Sequence, residues 1–210
     1  ITAGPTIEPI DPVRYISNFS SGKQGYEIAN CAYTYGAETI LITGPTNIEA
    51  PEVNKIIKVE SAEQMFNESM NICKKYGSID IAFLTAAVSD WKINKTEKKY
   101  KKNENIFKQI KFTENKDILH MISNLKKSRP KIVCGFAAET SSLINNARKK
   151  LINKNCDFIF ANKISNKFNP MGGDFNKISV IGKNNQKNWG KMTKKKIAEK
   201  IIHEVSLYLN

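Results

Sequence analysis

Apolar residues fall in short runs separated by longer amphipathic stretches, and this alternation repeats along the whole chain. The runs predict strands at Ile1–Ala3, Thr39–Thr43, Lys55–Val59, Ile79–Thr85, Lys131–Phe136, Asp157–Ala161 and Ile178–Ile181. Between them, apolar positions recur at helical spacing over Gly25–Tyr35, Ala62–Tyr76, Lys116–Lys127, Ser141–Asn153 and, closing the chain, Thr193–Leu207. Asn115 is the expected N-cap of the third helix. Strands alternating with helices predict an α/β fold, a Rossmann-like, doubly wound, mostly parallel sheet covered on both faces.

One interval breaks the alternation. Between Trp91 and Phe112 there are eight lysines against two acids, ending in the strand-like "IFKQIKF", which predicts a basic loop or hairpin inserted into the doubly wound core. A second basic tract, "KNWGKMTKKKIAEK", leads into the last helix, and Lys194–Lys196 reads as a solvated helix face. No repeats or low-complexity linkers interrupt the 210 residues, so a single domain over 1–210 is expected. The first residue is Ile rather than Met, and an excised domain or missing upstream sequence is the expectation.

Composition narrows the classes. Hydrophobic residues make up 40% and charged residues 25% of the chain, values of an ordinary globular protein. No apolar run reaches the roughly 18 residues that span a bilayer, and no charged leader precedes the first strand, so neither membrane nor signal peptide is expected. Cys31, Cys73, Cys134 and Cys156 are far apart, which predicts reduced, buried thiols in a cytoplasmic protein rather than a zinc site or disulfide framework. His120 and His203 are the only histidines, too few for a His-ligated metal or a His-based triad. The net charge of +13 favours anionic partners, either nucleic acid or a phosphorylated substrate with a nucleoside triphosphate.

Candidate chemistry lies at the start of the chain. "TAGPT" ends the first strand, and "NFSSGKQG" enters the first helix, where doubly wound sheets bind ligands. The Walker spacing is absent, because Ser17 stands at the first glycine position and Gln24 replaces the Ser/Thr; GxGxxG is absent too. Ser20 and Ser21 still offer hydroxyl donors, and Gly4, Gly22 and Gly25 allow close backbone approach beside a helix N-terminus, a cradle suited to a triphosphate. An ordinary capped loop would look the same.

The stretch "ITAGPTIEPIDPVRYISNFSSGKQGYEIA" closely resembles the signature of the phosphopantothenate–cysteine ligase family. "TAAVSDW", "KKYKK", "KDI", "GFAAET", "ARKKLINKNCDFIFAN" and "MGGDFNKISVI" follow in the family's order, so the resemblance covers Ile1 to about Ile181. It implies a two-step ligation in coenzyme A biosynthesis. The carboxylate of 4'-phosphopantothenate attacks CTP to give an acyl-cytidylate and pyrophosphate, and the amine of L-cysteine then displaces CMP. Attack by one anion on another needs cations at the phosphates, with Mg²⁺ as the implied metal.

The resemblance also assigns residues. Asn18 matches the family's Asn that converts the acyl-nucleotide to product, against the alternative of an Asx-turn. Lys99 is taken as the first lysine of the family's Lys-x-Lys-Lys element, with Lys98, Lys101 and Lys102 as alternatives, and supports acyl-nucleotide formation. Asp90 matches a family residue at nucleotide and substrate, as a ligand of Mg²⁺ or of the ribose; an unmatched Asp there would read as a helix cap. Ala86 and Ala87 suit a ligand lying against backbone. Phe136, Ala137 and Asn162 match strand ends that contact base and ribose, though Phe136 equally fits a core. Lys150 and Lys154 match two nucleotide-binding lysines and would otherwise read as a solvated stripe. Arg14 is expected at the substrate phosphate, across a dimer interface as in relatives.

Three positions depart from the family pattern: Ile7 stands for Arg, Lys116 for Pro and Lys163 for Asp. The lysine element and "FAAET" resemble the bacterial, CTP-using branch. Many bacterial relatives are fused behind a flavin-dependent decarboxylase; nothing here resembles it, so no flavin is expected, and the decarboxylase is a candidate partner. An NAD(P) oxidoreductase predicts GxGxxG and an acid ending the second strand, where Gly44–Pro45 stands instead. A nucleic-acid binder predicts aromatics interleaved with the basic stretches, yet only Tyr100, Phe107, Phe112 and Trp189 occur there.

Overall fold

The structure, a computed structural model, describes residues 1–101, 110–165 and 169–209. Most of "IFKQIKF", together with Lys102 and Phe107, lies outside the described residues. Twelve strands and five helices are described, and eight of the strands form one sheet. In chain order the strands of that sheet are β1 (Thr2–Ala3), β4 (Ile40–Thr43), β5 (Lys55–Lys58), β6 (Ile81–Leu84), β9 (Ile132–Glu139), β10 (Phe158–Lys163), β11 (Phe175–Gly182) and β12 (Gln186–Thr193). Across the sheet they run β12-β11-β10-β9-β6-β1-β4-β5, with β11 antiparallel to both its neighbours and every other pairing parallel. The six parallel strands thus follow the 3-2-1-4-5-6 order of a doubly wound sheet, whose topological switch point falls between β1 and β6.

Helices cover both faces, as the strand-helix alternation predicts. On one face α1 (Lys23–Thr34) and α5 (Lys194–Ser206) bury Ile28, Cys31, Ile197 and Ile201 against Phe160, Ile178 and Val180. On the other, α2 (Ala62–Tyr76), α3 (Ile118–Ser123) and α4 (Leu143–Lys154) bury Met65, Phe66, Ile122 and Leu151 against Val133, Ile159 and Ile181. Residues facing both layers explain the near-continuous apolar run of β10, which is buried on both sides. All four cysteines are free and buried.

Local sequence sets the helix ends. Ser61 and Gln64 form a capping box at the start of α2, and Gly77, at φ +66°, closes it. Thr193 Oγ1 accepts from Lys196 N–H to open α5. The third helix differs from expectation: it is capped by Asp117, not Asn115, and spans only Ile118–Ser123. Asn115 instead donates its side-chain amide to Ser89 O at 3.0 Å.

Two small antiparallel ribbons stand outside the main sheet. β2 (Ile7–Pro9) pairs with β3 (Tyr15–Ser17), and β7 (Trp91–Ile93) pairs with β8 (Phe112–Glu114), which bears out a hairpin at the basic insertion. Strand β12 is absent from the sequence-based expectation because its lysines mask it. Trp189 is the one buried side chain of this edge strand, with Met192 half-buried, and the exposed charged side chains discourage further pairing. The basic run after it is not a uniformly solvated face: Lys194 is 2% exposed, with its backbone carbonyl held by Gln24. Burial, and then the nearby Lys23 charge, lower its pKa to about 8.

Candidate active site

A cavity of about 530 Å³ opens at the carboxyl ends of the parallel strands, beside the switch point. Thr2 of β1 and Leu84 of β6 form its floor, and the segment Ala86–Trp91 after β6 forms one wall. Glu114 to Leu119, running from β8 into α3, form a second wall. Phe136 from β9, with Lys150 and Lys154 one turn apart on α4, complete it. Five of the residues expected at the nucleotide therefore meet in one cavity: Ala86, Asp90, Phe136, Lys150 and Lys154.

The charges in this cavity are interlocked. Lys154 pairs with Asp117 at 2.5 Å, and Asp117 also caps α3 by accepting from His120 N–H at 2.7 Å. Burial alone would raise the Asp117 carboxyl, but the Lys154 hydrogen bond, the His120 N–H and the Lys150 charge outweigh it and hold the group below the usual carboxylate range. Lys150 donates to Phe136 O at 2.8 Å, and burial lowers its pKa against the opposing pull of Asp117. The Phe136 ring leans on Phe160 at 5.3 Å, so this residue serves core and cavity at once. Asp90 is exposed, and its carbonyl accepts from Asn115 N–H at 2.8 Å, closing the ribbon against the wall. Among the described residues no group of three or more metal-binding side chains occurs. Asp90 and Glu114 share the cavity nonetheless, and Mg²⁺ needs only one or two carboxylates when phosphates supply the remaining oxygens.

The N-terminal turn lies beside this cavity, not in its lining. Asn18 donates its side-chain amide to Val88 O at 2.9 Å and Ala87 O at 3.4 Å, and Val88 is part of the wall. Ala87 N–H in turn donates to Gly4 O at 2.9 Å. The serines are engaged internally: Ser20 Oγ accepts from Gly22 N–H, while Ser21 gives both its N–H and its hydroxyl to Met171 O. The glycines pack against protein. A Cβ on Gly22, at φ +73°, would come within 2.7 Å of Thr46 Cγ2, and one on Gly25 within 2.6 Å of Ala3 Cβ.

Arg14 and Lys99 form a third group, and Asn162 stands apart from all three. The Arg14 guanidinium binds Asp11 Oδ2 and Tyr100 O, beside the exposed Lys99. Asn162 is buried in register with Ala138, away from the cavity lining. The wall from Glu114 to Asp117 supplies cavity-lining positions that periodicity missed; its signal was the "KDI" motif, obscured by the helix expected to start at Lys116. Lys116, which stands for the family's Pro, adds a cation here, its ammonium 4.5 Å from the Phe66 ring centroid.

Comparison with known proteins identifies the family of this fold. The family described as DNA/pantothenate metabolism flavoprotein C-terminal domain matches residues 1–208. The chain belongs to that family. It is 40% identical over 204 residues to the coenzyme A biosynthesis bifunctional protein CoaBC of Borreliella burgdorferi, covering 96% of this chain and 50% of that one. The chain thus spans about half the length of the curated relatives it matches. The crystal structure of the C-terminal domain of a CoaBC protein is 32% identical and superposes with a TM-score of 0.80, covering 99% of this chain and 93% of its own. A Cab2 mutant in complex with phosphopantothenate-cysteine shares the fold, with a TM-score of 0.77 at 17% identity, covering 99% and 84%. No described helix of this DFP-family chain is long and apolar enough to cross a membrane.

Proposed function

We propose that this chain is a phosphopantothenate–cysteine ligase of coenzyme A biosynthesis, using CTP. The observation that carries the reading is the cavity at the switch point. There Lys150, Lys154 and Asp90 converge in a chain whose family members include CoaBC proteins. In the first step a carboxylate oxygen of 4'-phosphopantothenate attacks the α-phosphorus of CTP, and pyrophosphate leaves. In the second the amine nitrogen of cysteine attacks the acyl carbon, and CMP departs with its oxygen. Phosphopantothenoylcysteine is the product.

Lys150 and Lys154 hold the nucleotide, and Phe136 and Ala86 provide the apolar surface against which it lies. Asp90 and Glu114 would hold Mg²⁺, which supplies countercharge to the phosphates. Lys99 approaches on its arm to offset charge building on the triphosphate. Asn18, anchored on Val88 O, presents its side-chain Oδ1 beside the wall, where it accepts a hydrogen bond from the incoming amine.

A second copy of this chain is the proposed partner. The two ribbons pack on each other and expose Val13, Tyr15, Trp91 and Phe112, an apolar surface suited to burial in a homodimer. The decarboxylase that consumes the product is proposed as the further, fused or separate, partner, in the cytoplasm.

The test is an incubation of the protein with phosphopantothenate, cysteine and each of the four nucleoside triphosphates. Pyrophosphate and CMP in equal amounts with CTP support the reading; release with ATP alone would refute the nucleotide, and release with none would refute the ligase.

A further inference from the structure

The hairpin that carries Arg14 contains a carboxylate with an unusual number of partners. Asp11 has a fully buried side chain although it lies in a surface turn. Its Oδ1 accepts from Val13 N–H at 2.8 Å and Arg14 N–H at 2.9 Å, which is all that the turn requires. Its Oδ2 faces the lysine arm: it accepts from Arg14 Nε at 2.9 Å and Nη2 at 2.5 Å, and from Tyr100 N–H at 3.3 Å. The same Arg14 Nη2 donates to Tyr100 O at 2.9 Å. Both backbone groups of Tyr100 are therefore gripped by one ion pair, 86 positions or more away in sequence. A second fastening lies just upstream, where Thr96 gives its N–H to Ile10 O at 3.2 Å.

We propose that Asp11 and Arg14 are positioning residues, a latch that holds the Tyr100 backbone and thereby sets where Lys99 and Lys101 present their ammonium groups. This rests on the ligase reading, in which an arm lysine supports the first half-reaction. A lysine side chain has four rotatable bonds, so its placement depends on a fixed backbone. Tyr100 lies between the two lysines, and a grip on both its N–H and C=O removes rotation on either side. The carboxylate charge strengthens each hydrogen bond it accepts. Arg14 is suited to the bridge because its planar fork spans two acceptors, whereas a lysine is a point charge. In this account Arg14 acts through the arm, which differs from the direct contact with substrate phosphate that the family resemblance implies.

The test uses Asp11→Asn, Arg14→Lys and Tyr100→Pro, the last of which removes the amide donor while leaving the ion pair intact. Pyrophosphate release from CTP and phosphopantothenate, without cysteine, should fall about 10- to 100-fold in each, since misplacement by about 1 Å has that effect. The rate constant and kcat/KM for CTP should fall together. In a Lys99→Gln, Lys101→Gln background, Asp11→Asn should add no further loss, because a latch without its lysines has nothing to position. An equal loss in both backgrounds would show a general structural role and overturn the proposal, as would full activity of Asp11→Asn in the parent chain. Hydrogen exchange at the Tyr100 amide supplies a readout independent of activity: fast exchange in Asp11→Asn supports the latch, and unchanged protection overturns it. If the parent protein releases no pyrophosphate, the ligase reading fails while the exchange experiment still decides on the latch.

Discussion

Replacing Gly25 by Ala separates two roles for the glycines of the N-terminal turn, close packing and close approach to phosphate. Gly25 sits in the first turn of α1 against the central strand. An added Cβ would lie 2.6 Å from Ala3 Cβ, 3.2 Å from Ala3 Cα and 3.3 Å from Thr2 O. Thr2 and Ala3 are pinned in register with Ile42 and Thr43, so the strand cannot retreat freely. Overpacking of this kind costs roughly 1–3 kcal/mol, and the backbone contacts place it in the upper part of that range. Alanine returns about 1 kcal/mol of helix propensity, leaving a net loss of about 1–2 kcal/mol. For a chain of this size each kcal/mol shifts Tm by about 2–4 °C, so Tm should fall by roughly 2–8 °C. Gly190→Ala is the control, since a Cβ there meets nothing within 4 Å. Thermal unfolding followed by circular dichroism reads both, and pyrophosphate release reads KM for CTP. An unchanged Tm with a raised KM for CTP would refute the packing argument and put phosphate against this glycine.

Asn18→Ala removes the donor to Val88 O from an exposed residue, so stability should change by no more than about 0.5 kcal/mol. Amide formation should fall by about 10²–10³ while pyrophosphate release from CTP and phosphopantothenate persists; parallel loss of both steps contradicts the assignment. Lys194→Met should raise Tm at pH 7, because it replaces a buried ammonium whose pKa burial has lowered to about 8 with an apolar chain of similar length. The parent chain binds fewer protons folded than unfolded between pH 8 and 10.5, so its stability rises with pH there and the advantage of Met shrinks; a constant advantage across that window counts against the argument.

The alternation of apolar runs and amphipathic stretches determined the class of fold and nearly every element of the main sheet, because strand and helix periods are local properties of the chain. Ordered motifs determined the family, and they named Asp90, Phe136, Lys150 and Lys154 before any fold placed them together. Periodicity could not reveal β12, where one buried Trp189 among lysines leaves no alternation to read, nor the burial of Lys194 within a run of three lysines. Only the tertiary structure decided which candidates meet. Lys150 with Phe136 O, Lys154 with Asp117 and Arg14 with Tyr100 are contacts between residues at least 14 positions apart, and a linear pattern carries no record of them. The same holds for the glycines: the chain shows that a side chain is missing, but whether backbone, ligand or a neighbouring strand fills the space follows from what packing brings against it.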